Sequence, residues 1–167
     1  MIKYGAVIIA GVAGVGKTTV GLALASELGW SFCEGDDFHT PSNLKKMMGG
    51  MPLTDEDRWP WLTRIRSEIS IAVQEDHPMV VTCSLLKERY RRYLTDNLDH
   101  VCTVFLTADE RVIRERLRYR DVHFFPKELL QSQLEFWEQP SEGIIVDAYQ
   151  DPGEIVLEIK NKLKLVS

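Results

Sequence analysis

A glycine-rich segment between an apolar run and a helical pattern constrains this chain more than any other feature. Residues 11–18 read GVAGVGKT and fit the pattern G-x-x-x-x-G-K-[ST]. The preceding residues 6–10 are all apolar, which is typical of a buried parallel strand. Glycines let a backbone curl so that successive N–H groups point inward at phosphates, and the N-terminus of the following helix adds positive potential. The sequence therefore predicts a strand, a phosphate-binding loop and a helix in succession.

Two side chains of this segment have expected roles toward ATP. Lys17 can reach the β- and γ-phosphates, and the Thr18 hydroxyl can ligate Mg²⁺. Lys17 is therefore also expected to take part in catalysis. The expected ATP-binding residues of the segment are Gly11, Val12, Ala13, Gly14, Val15, Gly16, Lys17, Thr18 and Thr19.

Short apolar runs alternate with amphipathic stretches along the rest of the chain. This alternation predicts an α/β fold of three layers, with helices on both faces of a five-stranded parallel sheet. We expect a single domain over residues 1–167, with a helical insertion at about 35–77 and a lid at about 117–127. The predicted strands are 5–10, 31–34, 79–83, 101–106 and 144–147.

Local signals predict two helix starts. Thr107 and Glu110 have the spacing of a capping box. Asp151 precedes Pro152, which suits the first position of a helix.

Composition excludes some classes of partner. The chain has 167 residues with 20 basic and 25 acidic side chains, a net charge of −5, whereas nucleic-acid-binding proteins usually have a basic excess. No apolar stretch approaches the roughly 18 residues of a membrane span. The three cysteines are odd in number and lack metal-ligand spacing, so we expect free thiols. These features predict a cytoplasmic protein with small-molecule substrates, no nucleic-acid partner and no membrane association.

An acidic segment follows the second predicted strand. In a parallel sheet the carboxyl ends of the strands border the ligand crevice, so an acid here would lie opposite the phosphate loop. We expect Asp36 to accept a hydroxyl proton from the acceptor or to hold Mg²⁺ through water, and Asp37 to cap the next helix. The alternative is that both are only turn and cap residues.

Basic residues crowd the segment that leads to the predicted lid. Arg116 and Arg120 share a helix face nearest the lid, where a cation over the transferring phosphoryl group assists catalysis. His39 and His123 flank the expected cleft and can touch a ligand. Trp59 and Trp61 fit packing better than base stacking.

Several further motifs accompany the phosphate loop. They are GDDFH at 35–39, Asn43-x-x-Lys46-Met47, Gly50-x-Pro52-Leu53-x-Asp55, Asp57-Arg58-x-Pro60-Trp61-Leu62, Cys83-Ser84-x-Leu86-Lys87-x-x-Tyr90-Arg91, Arg116-Leu117-x-x-Arg120-x-x-His123-Phe124 and Ser132-Gln133. Together these motifs resemble those of the bacterial-type gluconokinases, small sugar-acid kinases that are similar to shikimate kinases. The resemblance covers about residues 7–157 and implies a fold like that of nucleoside monophosphate kinases. It implies ATP- and Mg²⁺-dependent phosphorylation of D-gluconate to 6-phospho-D-gluconate, and often a homodimer.

The resemblance also implies a set of site residues. It places Asp36 near the attacking hydroxyl, and Arg58 with Lys87 or Arg91 around the sugar acid, which needs a cationic anchor. Arg116 and Arg120 would close on the phosphates. The expected acceptor ligands are Asp36, His39, Lys46, Arg58, Ser84, Lys87, Arg91, His123 and Gln133, and the expected metal-binding residues are Thr18 and Asp36, the latter through water.

The chain also departs from the family pattern. Glu34 stands where the family usually has Asp, Leu85 replaces a typical Ala, and Asp121-Val122 replaces a basic residue and a glycine. Two alternatives stay open: a kinase of another small acceptor (shikimate, another sugar acid, adenylyl sulfate or a nucleotide), and a nucleotide-binding regulatory module without turnover.

Overall fold

The computed structural model describes residues 4–119 and 126–164. Its centre is a sheet of five parallel strands in the order β2-β3-β1-β4-β5. The strands are β1 Ala6–Ala10, β2 Ser31–Cys33, β3 Met79–Cys83, β4 Val101–Thr107 and β5 Ile144–Asp147. The helices are α1 Lys17–Leu28, α2 Pro41–Met48, α3 Asp55–Gln74, α4 Glu88–Thr95, α5 Glu110–Arg118, α6 Lys127–Phe136 and α7 Pro152–Leu163, with a short 3₁₀ helix at Gly35–Phe38.

Strand β1 is central because its side chains are apolar on both faces. All five of its residues are fully buried, and it pairs with β3 on one side and β4 on the other. Ala10 at its carboxyl end pairs with Cys83 of β3 and Phe105 of β4. The loops after these three strands therefore emerge side by side, at the edge where ligands bind in such sheets.

The segment between β2 and β3 carries the 3₁₀ helix and two α-helices. Helix α3 begins with a capping box in which the Thr54 side chain accepts from Asp57 N and the Asp57 side chain accepts from Thr54 N. Its apolar face, including Ile65 and Ile69, is fully buried in the core. Trp61 Nε1 donates to Gly35 O at 2.7 Å, which fixes the 3₁₀ helix against α3.

The predicted α/β architecture and its five parallel strands are confirmed. The capping box at Thr107 and Glu110 is wrong, because Thr107 extends β4 and pairs with Asp147, and Asp109 caps α5 instead. The predicted cap at Asp151 is confirmed, since its side chain accepts from Gly153 N.

Other expectations are tested by the same part of the chain. Thr40, rather than Asp37, caps α2. The thiols of Cys33, Cys83 and Cys102 are free, as predicted. Within residues 4–119 and 126–164, no helix combines the length and apolar character that a bilayer crossing requires.

Candidate active site

A cavity of about 450 Å³ lies beyond the carboxyl ends of β1, β2 and β3. The phosphate loop and the start of α1 form one wall. The 3₁₀ helix, α2 and the segment that follows α2 form a second wall, and α6 forms a third. The cavity thus joins the predicted nucleotide side to the insertion between β2 and β3.

The phosphate loop adopts backbone conformations that its glycines permit. Gly14 has a φ of 80°, and a Cβ added there would lie 2.7 Å from Leu117 of α5. Ala13, Gly14, Gly16, Lys17 and Thr18 line the cavity. The lysine ammonium donates to Val12 O at 3.0 Å, which places it over the loop.

Four residues that were predicted to bind ATP do not contribute side chains to the cavity. The side chains of Val12 and Val15 are buried in the core, so these residues can offer only backbone groups to a nucleotide. Thr19 is exposed on α1 and, like Gly11, does not line the cavity.

Glu34, which the sequence analysis noted only as a departure from the family pattern, contacts the start of α1. Its carboxylate accepts hydrogen bonds from the Thr18 hydroxyl on one oxygen and from the Thr82 hydroxyl on the other. Thr82 Oγ1 in turn accepts from Gly35 N at 3.1 Å. The position of Glu34 directly after β2 was the available signal, because it reaches the same crevice as Asp36.

Asp36 and His39 lie together on the wall opposite the phosphate loop. The Asp36 side chain is 74% exposed, and its Oδ1 lies 3.8 Å from His39 Nε2. His39 is buried and stacks on Trp61, with ring centroids 4.2 Å apart. Burial, aided by the charge of Arg58, lowers the pKa of His39 from 6.5 to about 4, so its imidazole is neutral at pH 7.

Arg58 is a buried cation that lines the cavity. Among the described residues, its Nε atom has no hydrogen-bond partner. Its guanidinium carbon lies 5.5 Å from the centroid of the Tyr90 ring. Burial lowers the pKa of Arg58, which means that the protein environment only partly replaces water around the charge. An anionic group of a ligand would compensate this charge.

Ser84 and Gln133 also line the cavity. The Ser84 carbonyl accepts from Gly11 N at 3.3 Å, so the residue supports the phosphate loop through its backbone. Gln133 of α6 accepts at Oε1 from Ala13 N at 2.7 Å.

Three expected acceptor ligands do not line this cavity. Lys46 Nζ lies 2.8 Å from both carboxylate oxygens of Asp57. Lys87 Nζ lies 3.0 Å from Asp55 Oδ1, which Tyr90 also contacts. Each lysine therefore forms a salt bridge with an acidic residue at the start of α3.

Arg91 is the third expected ligand outside the cavity. It is 5% exposed, and its guanidinium donates to the carbonyls of Leu85, Leu86 and Glu138. The same group lies 4.8 Å from the Phe105 ring centroid and 5.0 Å from that of Trp137. In this structure Arg91 therefore joins the loop after β3 to the end of α6.

Arg116 contacts the phosphate loop from α5, outside the cavity lining. Its Nη1 donates to Val15 O at 3.0 Å, and its Nη2 donates to Ala148 O after β5. Arg120 and His123 lie outside the described residues.

Sequence and structure comparisons identify proteins that are similar to this chain. Residues 7–140 match a protein family described as an AAA domain. A gluconokinase of Gluconobacter oxydans (strain 621H) is 40% identical over 153 residues, which span 90% of this chain and 86% of that protein. The crystal structure of a gluconokinase from Sinorhizobium meliloti 1021 is 40% identical, with a TM-score of 0.85 over 98% of this chain and 94% of that chain.

More distant structures share the fold alone. An APS kinase of Mycobacterium tuberculosis is 17% identical, with a TM-score of 0.71 over 98% of this chain and 99% of that chain. The much higher identity of the gluconokinases, over nearly the whole chain, decides the family. This chain belongs to the gluconokinase family.

Proposed function

We propose that this protein transfers the γ-phosphoryl group of ATP to a hydroxyl group of D-gluconate and so produces 6-phospho-D-gluconate. The observation that carries the proposal is the shared cavity, in which the phosphate loop faces the buried guanidinium of Arg58. A polyhydroxy carboxylate supplies both an anion for Arg58 and a hydroxyl group for transfer. The family's named activity is the same reaction.

Positioning and charge neutralisation account for the chemistry of this site. Lys17 would bind the terminal phosphates. The exposed carboxylate of Asp36 is available to orient the acceptor hydroxyl and to take its proton. Neutral His39, next to Asp36, can donate or accept a hydrogen bond to the acceptor without adding charge.

The residues around Thr18 fit a magnesium ion. The Thr18 hydroxyl and the Glu34 carboxylate, which are hydrogen-bonded to each other, supply hard oxygen donors beside the phosphate loop, and the Asp36 carboxylate supplies them from the opposite wall of the cavity. We propose Thr18 as the ligand, with Glu34 orienting it and Asp36 acting through water. Bound Mg²⁺ would neutralise charge on the phosphate oxygens.

Further parts of the proposal come from the family resemblance. Arg116 and Arg120 would bind the phosphates, and His123 would close on the acceptor. Arg116 already contacts the loop at Val15 O, which supports its part of this assignment. The protein would act in the cytoplasm as a homodimer, and the free thiols agree with a reducing compartment.

A coupled assay of ADP formation over a panel of acceptors tests the reaction. We expect turnover with D-gluconate and little or none with shikimate, adenylyl sulfate or nucleoside monophosphates. Turnover with one of the others and not with gluconate would refute the proposed substrate. ATP binding without ADP formation on any acceptor would favour a regulatory module.

The variant Arg58→Met tests how the acceptor is held. Removing one member of a desolvated charge pair costs about 2–5 kcal/mol, which predicts a rise in the KM for gluconate of about 30-fold or more. The KM for ATP should change less than about threefold. Arg92→Met is the matched control, because the Arg92 side chain is 71% exposed.

A further inference from the structure

Gln133 makes a contact whose geometry specifies the orientation of its side chain. The amide of Ala13 can only donate, so the atom 2.7 Å from it is the carboxamide oxygen of Gln133. The other end of the carboxamide is then the NH₂ group, with two N–H donors. Among the described residues, that nitrogen has no hydrogen-bond partner, and Gln133 lines the cavity.

The phosphate loop places this donor near the terminal phosphate. Lys17, which reaches the β- and γ-phosphates in loops of this type, has its ammonium group 3.0 Å from Val12 O. Ala13 is the next residue along the chain. The Gln133 carboxamide therefore lies at the end of the loop where the terminal phosphate of ATP binds.

The position of Gln133 is fixed from the other end of α6 as well. Trp137 N donates to Gln133 O at 3.0 Å, and the Trp137 ring lies 5.0 Å from the Arg91 guanidinium. Glu138 N donates to Leu86 O at 2.8 Å. These bonds tie the carboxyl end of α6 to the loop after β3 and so position the backbone of Gln133, while the bond from Ala13 N orients its carboxamide.

We propose that Gln133 binds the phosphoryl group that is transferred, rather than the acceptor. Its Oε1 stays on Ala13 N, and its Nε2 donates to an oxygen of the terminal phosphate. As charge spreads over these oxygens during transfer, a preorganised neutral donor stabilises the transition state. This inference rests on the proposed phosphoryl transfer from ATP.

Two substitutions test the role of the donor. Gln133→Leu removes both polar groups at similar size, and Gln133→Glu keeps an oxygen for Ala13 N while it replaces the donor with a negative charge. We expect Gln133→Leu to lower kcat about 10- to 100-fold, with the KM for gluconate unchanged within about threefold. We expect Gln133→Glu to lower kcat further.

The ratio of ATP to ADP affinity separates the terminal phosphate from the rest of the nucleotide. The affinities for ATP and ADP are measured by calorimetry without acceptor. In Gln133→Glu the affinity for ATP should fall at least tenfold, and the affinity for ADP should stay within about twofold of the wild-type value. This readout does not need gluconate to be the acceptor, so it can succeed or fail independently of the proposed substrate. Gln131→Leu is the control, because Gln131 is exposed on α6 and its carboxamide pairs with Arg114 of α5 and Glu135 of α6.

Two results would overturn the proposal. An unchanged ratio of ATP to ADP affinity, together with a raised KM for gluconate, would assign Gln133 to the acceptor. Kinetic and binding constants equal to those of the wild type would show that the carboxamide touches neither substrate. Thermal unfolding of both variants checks that α6 remains folded.

Discussion

Replacing Arg91 with alanine tests whether this residue supports the structure or binds the acceptor. The sequence resemblance assigns it to the sugar acid, whereas its guanidinium donates to the carbonyls of Leu85, Leu86 and Glu138. Leu85 is fully buried with a φ of 42°, a backbone conformation that a leucine rarely adopts. The hydrogen bond from Arg91 Nε to Leu85 O, at 2.9 Å, helps to hold it there.

The size of the effect follows from the number of carbonyls that lose their partner. Hydrogen bonds to charged groups contribute about 1.5–3 kcal/mol each. Removing three together is not additive, but a buried carbonyl left without its donor costs about 1–3 kcal/mol, so we expect a total loss of about 3–5 kcal/mol. For a chain of this length, each kcal/mol lowers Tm by about 2–4 °C. We therefore expect Arg91→Ala to lower Tm by about 10 °C.

Thermal unfolding and steady-state kinetics at a temperature where the variant is folded measure both roles. We expect a lower Tm and a KM for gluconate within about threefold of the wild type. Arg92→Ala is the control, since that side chain is exposed and its ion pair with Glu88 should contribute less than about 0.5 kcal/mol. If Arg91→Ala has the same Tm as the wild type and a KM for gluconate that is about 100-fold higher, the structural role is refuted and Arg91 is an acceptor ligand.

Two further predictions concern stability. Burial lowers the pKa of His39 from 6.5 to about 4, so as the pH falls the unfolded chain binds a proton at His39 before the folded chain does. The free energy of unfolding should therefore fall by up to about 3 kcal/mol as the pH drops from about 6.5 to about 4. Urea unfolding between pH 4 and 8 measures the free energy of unfolding at each pH. This free energy should depend less steeply on pH in His39→Gln than in the wild type, and an equal pH dependence would contradict the reasoning. A Cβ at Gly35 would lie 1.9 Å from Thr82 O, so Gly35→Ala should lower the free energy of unfolding by at least about 3 kcal/mol. In Gly49→Ala the new Cβ would meet only carbonyl oxygens at 3.5 Å, so the free energy of unfolding should change by less than about 0.5 kcal/mol. Similar losses of unfolding free energy in Gly35→Ala and Gly49→Ala would contradict the steric reasoning.

The sheet and the phosphate loop were predictable because their signals are local. Apolar runs such as residues 79–83 form strands wherever helices cover both faces. The Thr107 capping box failed because pairing of Thr107 with Asp147 extends β4, and tertiary hydrogen bonds outweigh a local cap.

The roles of the basic residues could not be read from sequence to the same extent. Arg58 and Arg91 are both buried arginines on helices that flank the crevice, yet one lines the cavity and the other holds backbone carbonyls. Their difference depends on how α3 and α4 pack against the sheet, which spacing along the chain does not encode. The sequence marked Glu34 only as a departure from the family pattern for the same reason, since its contact with Thr18 joins the end of β2 to the start of α1.

The order of the strands has a consequence for how such enzymes diversify. The phosphate loop follows the central strand β1, whereas Asp36, His39 and Arg58 all belong to the segment between β2 at the sheet margin and β3. With the roles proposed above, donor and acceptor recognition would therefore be encoded in largely separate stretches of the gene. Grafting residues 35–77 between relatives should exchange the alcohol that is phosphorylated while the phosphate loop, Lys17 and Thr18 stay unchanged.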